Sequence, residues 1–213
     1  MTDQNFDQMR SAMVASQLRT TAVNDAGVVR AMGTVPRERF VPEEQRALAY
    51  LDTALPLANG RALPAPMVLG RLLTEARVRA SDRVLVIGAG SGYAAAVVAE
   101  LAGAVTALEE DQALAAIALA SPTVIRVSGP LVEGWAEGAP YDVILFDGAV
   151  GHVPDAVVAQ LADGGRLAAP IVEHGVTRLA IGRKAGGGFG MVSFADADAP
   201  ALPGFADRQG FRF

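Results

Sequence analysis

Arg83-Val84-Leu85-Val86-Ile87-Gly88-Ala89-Gly90-Ser91-Gly92-Tyr93 decides the fold. Its first five residues make a short apolar, β-branched run that reads as a buried strand. The alternating glycines let the backbone turn sharply and let a ligand approach it closely. An alanine-rich helix over about 93–102 follows. A helix starting on such a turn offers free N–H groups and a positive dipole end to a carboxylate or phosphate. Glu109, about 20 residues after Gly88, ends the next strand, where an acid accepts hydrogen bonds from two ribose hydroxyls. Together these features indicate a nucleoside cofactor. The spacing is G-x-G-x-G rather than G-x-G-x-x-G, which leans toward S-adenosyl-L-methionine over a dinucleotide. A tight turn with no ligand is the plain alternative.

Strands and helices alternate outward from this stretch. Strands are predicted over 104–108, 123–127, 141–146, 166–170 and 177–182, with a last short one at 191–194. Helices are predicted over 111–120 and from about Pro154. Such alternation indicates a doubly wound α/β fold, a parallel sheet with helices on both faces. The N-terminal third looks helical and irregular. Phe6, Met9 and Met13 give an amphipathic helix over about 3–18, and Asn24-Asp25 caps a second carrying Val28, Val29 and Met32. Pro42 followed by Glu43-Glu44 reads as a helix start. Residues 52–66 are rich in proline and glycine and read mostly as loop, before a helix over about 66–79. We expect one domain, with 1–80 a helical, substrate-side extension and 81–213 the cofactor-binding core.

Composition narrows the chemistry. The 213 residues contain no cysteine, which excludes disulfides, zinc–thiolate sites, iron–sulfur clusters and a cysteine nucleophile. Two histidines leave metal ligation to carboxylates, and no metal site is expected. A net charge of −5 provides no basic face for nucleic acid. No apolar run reaches the roughly 18 residues of a membrane span. The N-terminus carries no export signal. A cytoplasmic monomer is the expectation. The single lysine, Lys184, beside many arginines reads as coding bias.

Asp147 follows the apolar strand 143–146, at the carboxyl end of a central strand, where doubly wound sheets place ligands. It is a candidate catalytic residue, orienting a substrate donor or acting as base toward a neutral acceptor. A turn aspartate before Gly148 is the alternative. His152 and His174 read as surface or capping residues. Tyr93 and Trp135 offer aromatic faces to a cofactor, or fill the core. Arg37-Glu38-Arg39 reads as a solvated, salt-bridged turn.

The chain resembles the protein-L-isoaspartate O-methyltransferase family from about Met13 to about Gly182. The likeness is carried by Val35-Pro36-Arg37-Glu38-Arg39-Phe40-Val41-Pro42, Ala49-Tyr50-Leu51-Asp52, Leu55-Pro56-Leu57 and the glycine turn. Glu133-Gly134-Trp135, Tyr141-Asp142 and Gly164-Gly165-Arg166-Leu167 add to it. The resemblance implies a seven-stranded, Rossmann-like methyltransferase sheet. It also implies methyl transfer from S-adenosyl-L-methionine to the side carboxyl of L-isoaspartyl residues in aged proteins, for repair; a member methylating a different, small-molecule acceptor and a non-catalytic homologue acting as a binding module are the alternatives. Gly88, Ala89, Gly90, Ser91, Gly92 and Tyr93 would hold the methionine end, and Glu109 with Glu110 the ribose. Tyr50, Asp52, Arg61 and Leu63 would lie on the substrate side.

Three departures stand out. The family's Gly-Gln-Thr-Ile-Ser-x-Pro reads Gly60-Arg61-Ala62-Leu63-Pro64-Ala65-Pro66 here. Pro64 occupies the position of the serine beside the reacting groups and is the catalytic position carried over, whereas Asp147 is a catalytic candidate from its place at the strand end alone. Val86 replaces an acid two residues before the first glycine. Pro130 replaces an aspartate that meets the adenine amino group, and it brings neither a side-chain acceptor nor a backbone donor. Arg61 is the candidate compensator, because a guanidinium holds a carboxylate through two parallel bonds. A solvated loop arginine is the alternative.

Overall fold

The computed structural model describes residues 5–117 and 123–206. The start of the first predicted helix and residues 118–120 of the predicted 111–120 helix lie outside them. Helix α1, Phe6–Met13, continues through a π-helical turn, Val14–Leu18, and a 3-10 turn, Arg19–Thr21. Helix α2, Ala26–Thr34, is capped by Asp25, whose carboxylate accepts from Gly27 N at 2.8 Å and Val28 N at 3.0 Å. The helix begun by Pro42 is a 3-10 helix, Glu43–Leu48. Strands β1, Leu55–Pro56, and β2, Ala62–Leu63, pair antiparallel inside the segment expected to be loop. Their turn is set by Asn59-Gly60, both at positive φ, with Arg61 N donating to Ala58 O at 3.0 Å. Helix α3, Pro66–Ala76, follows.

The core alternates as expected at first: β3 Arg83–Ile87, α4 Tyr93–Ala99, β4 Ala104–Leu108, α5 Gln112–Ile117, β5 Val124–Val127 and β6 Tyr141–Phe146. Then come α6 Asp155–Ala159, β7 Leu161–Glu173, β8 Val176–Ala185 and β9 Gly188–Asp196. The seven-stranded sheet has the order β5-β4-β3-β6-β7-β8-β9. The strands from β5 to β7 are parallel, whereas β7, β8 and β9 form an antiparallel meander. The all-parallel expectation fails there for a local reason. His174-Gly175 and Gly186-Gly187 are two-residue turns with both φ values positive, which close hairpins and leave no room for a crossover helix. The meander strands are correspondingly longer than the predicted pieces.

Side chains alternate across the sheet. Val84, Val86, Val105, Ala107, Val143 and Leu145 face the layer built by α1–α4. Leu85, Ile87, Leu108, Ile144 and Phe146 face the other layer, which includes Val157 of α6 and, from the chain beyond β9, Leu202 and Phe205. That last segment returns as a strap over the carboxyl end of β6. Ala149 N donates to Pro200 O at 2.7 Å, Leu202 N to Ala149 O at 2.8 Å and Gly151 N to Phe205 O at 2.8 Å. The strap and the β1–β2 turn thus meet over the glycine turn.

Candidate active site

The β3–α4 turn is shaped by its glycines. Gly88 has φ +74°, and a Cβ there would lie 2.6 Å from Leu202 Cδ2, so only glycine fits beneath the strap. The amides of Gly88 and Ala89 donate to Leu108 O, each at 3.0 Å, which fixes the turn to β4. Ser91 Oγ is fully buried and has no hydrogen-bond partner among the described residues. Glu109 is 3% exposed, at the end of β4. Its Oε2 accepts from Gly90 N at 2.6 Å, and its Oε1 from the amides of Glu110 and Asp111, both at 3.0 Å. These donors satisfy the buried carboxylate's oxygens. Glu110 itself is exposed.

Arg61 is 9% exposed, so it is not a solvated loop residue. Its Nη1 donates to Glu109 Oε1 at 2.8 Å and its Nη2 to Gly88 O at 3.1 Å. Asn59, two residues earlier, donates to Asp111 Oδ2 at 2.7 Å. The β1–β2 turn is therefore fastened to the β4–α5 corner at two points.

Asp147 is buried at the end of β6, where Asp147 N donates to Ile87 O at 3.0 Å. Burial pushes its carboxyl up to about 7, against the pull of Arg61 and then Arg37. Arg37 is fully buried, contrary to the solvated turn expected of 37–39. It donates from Nε to Ala49 O and from Nη2 to Pro64 O, each at 2.7 Å, and lies 4.8 Å over the Tyr93 ring. Pro64 is thus held by its carbonyl, next to a cation. Tyr50 is buried and its hydroxyl donates to Glu38; burial first, and then the Glu38 carboxylate, push the phenol up. Leu63 is buried in β2 and Asp52 is exposed on a bend. Val86 is wholly buried in the sheet, Pro130 is exposed, and Trp135 packs against Gly129. Glu109, Arg61 and the glycine turn are joined directly, Asp147 N bonds Ile87 just before that turn, Pro64 is held through Arg37, and Asp52 and Glu110 face solvent.

Sequence reasoning missed two contributors. Leu202 of the strap covers Gly88 and Gly148. Leu57 of the β1–β2 turn lies 3.6 Å from where a Gly90 Cβ would be. Asn59-Gly60 was an available signal for that hairpin. Nothing in the pattern around Leu202 announces a return to the sheet.

The sequence profile of the protein-L-isoaspartate(D-aspartate) O-methyltransferase family matches residues 8–194, so the strap lies beyond the match. Protein-L-isoaspartate O-methyltransferase 1 of Rhodopseudomonas palustris is 41% identical over 173 residues, covering 78% of this chain and 71% of that one. Protein-L-isoaspartate O-methyltransferase of Methylorubrum populi is 38% identical over 199 residues, covering 88% and 94%. A solved protein-L-isoaspartate O-methyltransferase superposes with TM-score 0.79 at 25% identity, over 92% of this chain and 66% of that one. A Plasmodium falciparum structure, described as a putative protein-L-isoaspartate O-methyltransferase in complex with S-adenosyl-L-homocysteine, gives TM-score 0.78 at 20% identity, over 91% and 97%. By profile, identity and fold, this chain belongs to the protein-L-isoaspartate(D-aspartate) O-methyltransferase family.

Proposed function

We propose that the chain is a protein-repair methyltransferase that methylates the side carboxylate of isoaspartyl residues in proteins or peptides, with S-adenosyl-L-methionine as donor. The carrying observation is the buried Glu109 carboxylate set 2.6 Å from the Gly90 amide, at the carboxyl ends of two parallel strands. The residues fit that cofactor. Glu109 suits the ribose, the glycine turn admits a close approach, and the buried Ser91 hydroxyl offers a donor. The cofactor supplies a sulfonium methyl group, and its transfer to a carboxylate oxygen needs no base, because the acceptor is already ionised. The protein's work is alignment and exclusion of water. Leu202 and Leu57 exclude water on the cofactor side. Asp147, held near neutrality, donates its O–H to the acceptor carboxylate when protonated. That supplies the donor absent at Ala62 and Pro64. Tyr50, Leu63 and Pro64 form the floor on the acceptor side, and Asp52 lies at its rim.

The reading includes a single domain, with 1–80 on the substrate side, acting as a cytoplasmic monomer. The absence of cysteine fits a reducing compartment. No helix among the described residues is long and apolar enough to cross a membrane.

Calorimetric titration with S-adenosyl-L-homocysteine, followed by methylation of an isoaspartyl peptide, tests the reading. Micromolar binding that weakens at least about tenfold in Glu109→Ala is expected, from loss of a charge-assisted contact. Transfer to the isoaspartyl peptide, and not to its aspartyl twin, completes it. Absence of binding at high micromolar ligand refutes the cofactor assignment, and binding without transfer refutes the acceptor.

A further inference from the structure

The contacts of Arg61 close the site that Glu109 opens. Glu109 Oε1 already accepts three hydrogen bonds, from Arg61 and from the amides of Glu110 and Asp111. With Gly90 N on Oε2, all four acceptor sites of the carboxylate are taken, and a ribose hydroxyl cannot join them while the guanidinium stays. The space left beside Gly90 and Glu109 is about 20 Å³, room for roughly one water. A cleft of about 350 Å³ lies outside, between Asn59, Arg61, Asp111 and Leu202. The β1–β2 turn therefore stands as a latch between the cleft and the acid.

The same guanidinium has a second destination. Its Nη2 already bonds Gly88 O at 3.1 Å, and the residue before Gly88, Ile87, accepts from Asp147 N at 3.0 Å, so the guanidinium stands beside the strand end that carries Asp147. The other buried cation there, Arg37, is tied to the carbonyls of Ala49 and Pro64. The acceptor carboxylate needs a counter-charge, and Arg61 can supply one once Glu109 is taken. Only the turn 58–61 has to move, and its fastenings are three side-chain bonds, from Asn59 to Asp111 and from Arg61 to Glu109 and to Gly88 O.

We propose that Arg61 is an exchangeable counter-ion: it closes Glu109 in the ligand-free protein and passes to the acceptor carboxylate when the cofactor ribose takes Glu109. Cofactor and acceptor then bind with positive coupling. The reciprocity is thermodynamic, so each ligand raises the affinity of the other by the same factor. This inference rests on the methyltransferase reading above and adds a positioning residue to it.

The test compares wild type, Arg61→Gln and Asn59→Ala by calorimetry with S-adenosyl-L-homocysteine, and by peptide binding and turnover. Arg61→Gln should bind S-adenosyl-L-homocysteine about tenfold tighter, the value of one charge-assisted hydrogen bond removed from the competing state. Its KM for the isoaspartyl peptide should rise about tenfold, from the loss of a bidentate partner. In wild type the bound homocysteine compound should strengthen peptide binding, and in Arg61→Gln that coupling should vanish. Asn59→Ala, at an exposed position, should tighten the homocysteine compound modestly and leave peptide KM unchanged. Glu109 keeps three backbone donors in Arg61→Gln, and a thermal melt checks that the variant folds. Equal or weaker binding of the homocysteine compound by a folded Arg61→Gln overturns the exchange while the methyltransferase reading stands. Binding by neither wild type nor variant overturns both.

Discussion

Asp147 shows what burial does to a single carboxyl. An unfolded aspartate titrates near 3.9, whereas this one is pushed up to about 7. Between those values the folded chain holds a proton that the unfolded chain has lost, so this group makes stability fall as pH rises from about 4 to about 7. The slope is at most roughly 1.4 kcal/mol per pH unit, and it ends above about 7. Thermal melts of Asp147→Asn against wild type should therefore diverge in favour of the variant from pH 5 to pH 7 and stay parallel above it. Turnover of an isoaspartyl peptide should fall in wild type as pH passes through about 7 and stay flat in Asp147→Asn. A constant melting difference across that range would place the carboxyl near its ordinary value. Residues such as Asp147, Gly88 and Glu109 are legible in the sequence because each sits at the end of an apolar strand. Arg61 is legible only as a candidate to hold a carboxylate, and its pairing with Glu109 is not, since the two lie 48 residues apart. Arg37 misleads for a related reason. A charged triplet looks solvated until the fold supplies two carbonyls and an aromatic ring for its guanidinium.

One ion pair fastens three elements. Arg166 of β7 donates to Asp82 Oδ2 at 2.5 Å, to Ala76 O at 2.9 Å and to Arg77 O at 2.9 Å. Asp82 also accepts from Arg79 N at 2.8 Å. The pair thereby satisfies carbonyls at the end of α3 and fixes the turn into β3. Arg166→Ala should destabilise the protein by about 3–5 kcal/mol, because it leaves a buried aspartate unpaired. Adding Asp82→Asn to it should recover part of that loss in urea unfolding. Equal losses in the single and double variants would mean that the carbonyl contacts, and not the charge, carry the effect. Among the elements, the strands β3, β4 and β6 are legible from their apolar runs, and α2 from its capping aspartate. The meander is not, because β-branched runs of either direction look alike. Direction is set by the two-residue turns at His174-Gly175 and Gly186-Gly187. Their positive φ values were open to reading from composition, but a strand-helix alternation already in progress argued the other way.

At the scale of the molecule, the sheet is covered on both sides, by α1–α4 on one face and by α6 and the strap on part of the other. The strap is anchored by Phe205, whose ring meets that of Phe146 edge-on at 5.4 Å between centroids. Phe205→Ala should cost about 3–5 kcal/mol if the site cannot collapse. Its sharper signature is local. Hydrogen exchange at the amides of Ala149, Gly151 and Leu202, which bond only to or from the strap, should accelerate. Amides of β3 and β6 should slow or hasten only with global stability. Uniform acceleration everywhere would show that the strap unfolds with the whole molecule and has no separate opening. The fold class was readable from the sequence at this scale, and the strap was not. Its apolar residues are single and widely spaced, so their burial depends on a surface that exists only after the sheet is built.

The position of the strap also orders events in time. Its residues, 199–205, are translated after every strand of the sheet they cover. A nascent chain can therefore complete β9 while Phe146 and the glycine turn still lack their cover. During that interval the unfinished protein displays an apolar patch that the finished one hides, and chaperone capture or misassembly has its opening there. Slow codons or a stall within residues 199–205 would lengthen that exposure without altering a single side chain.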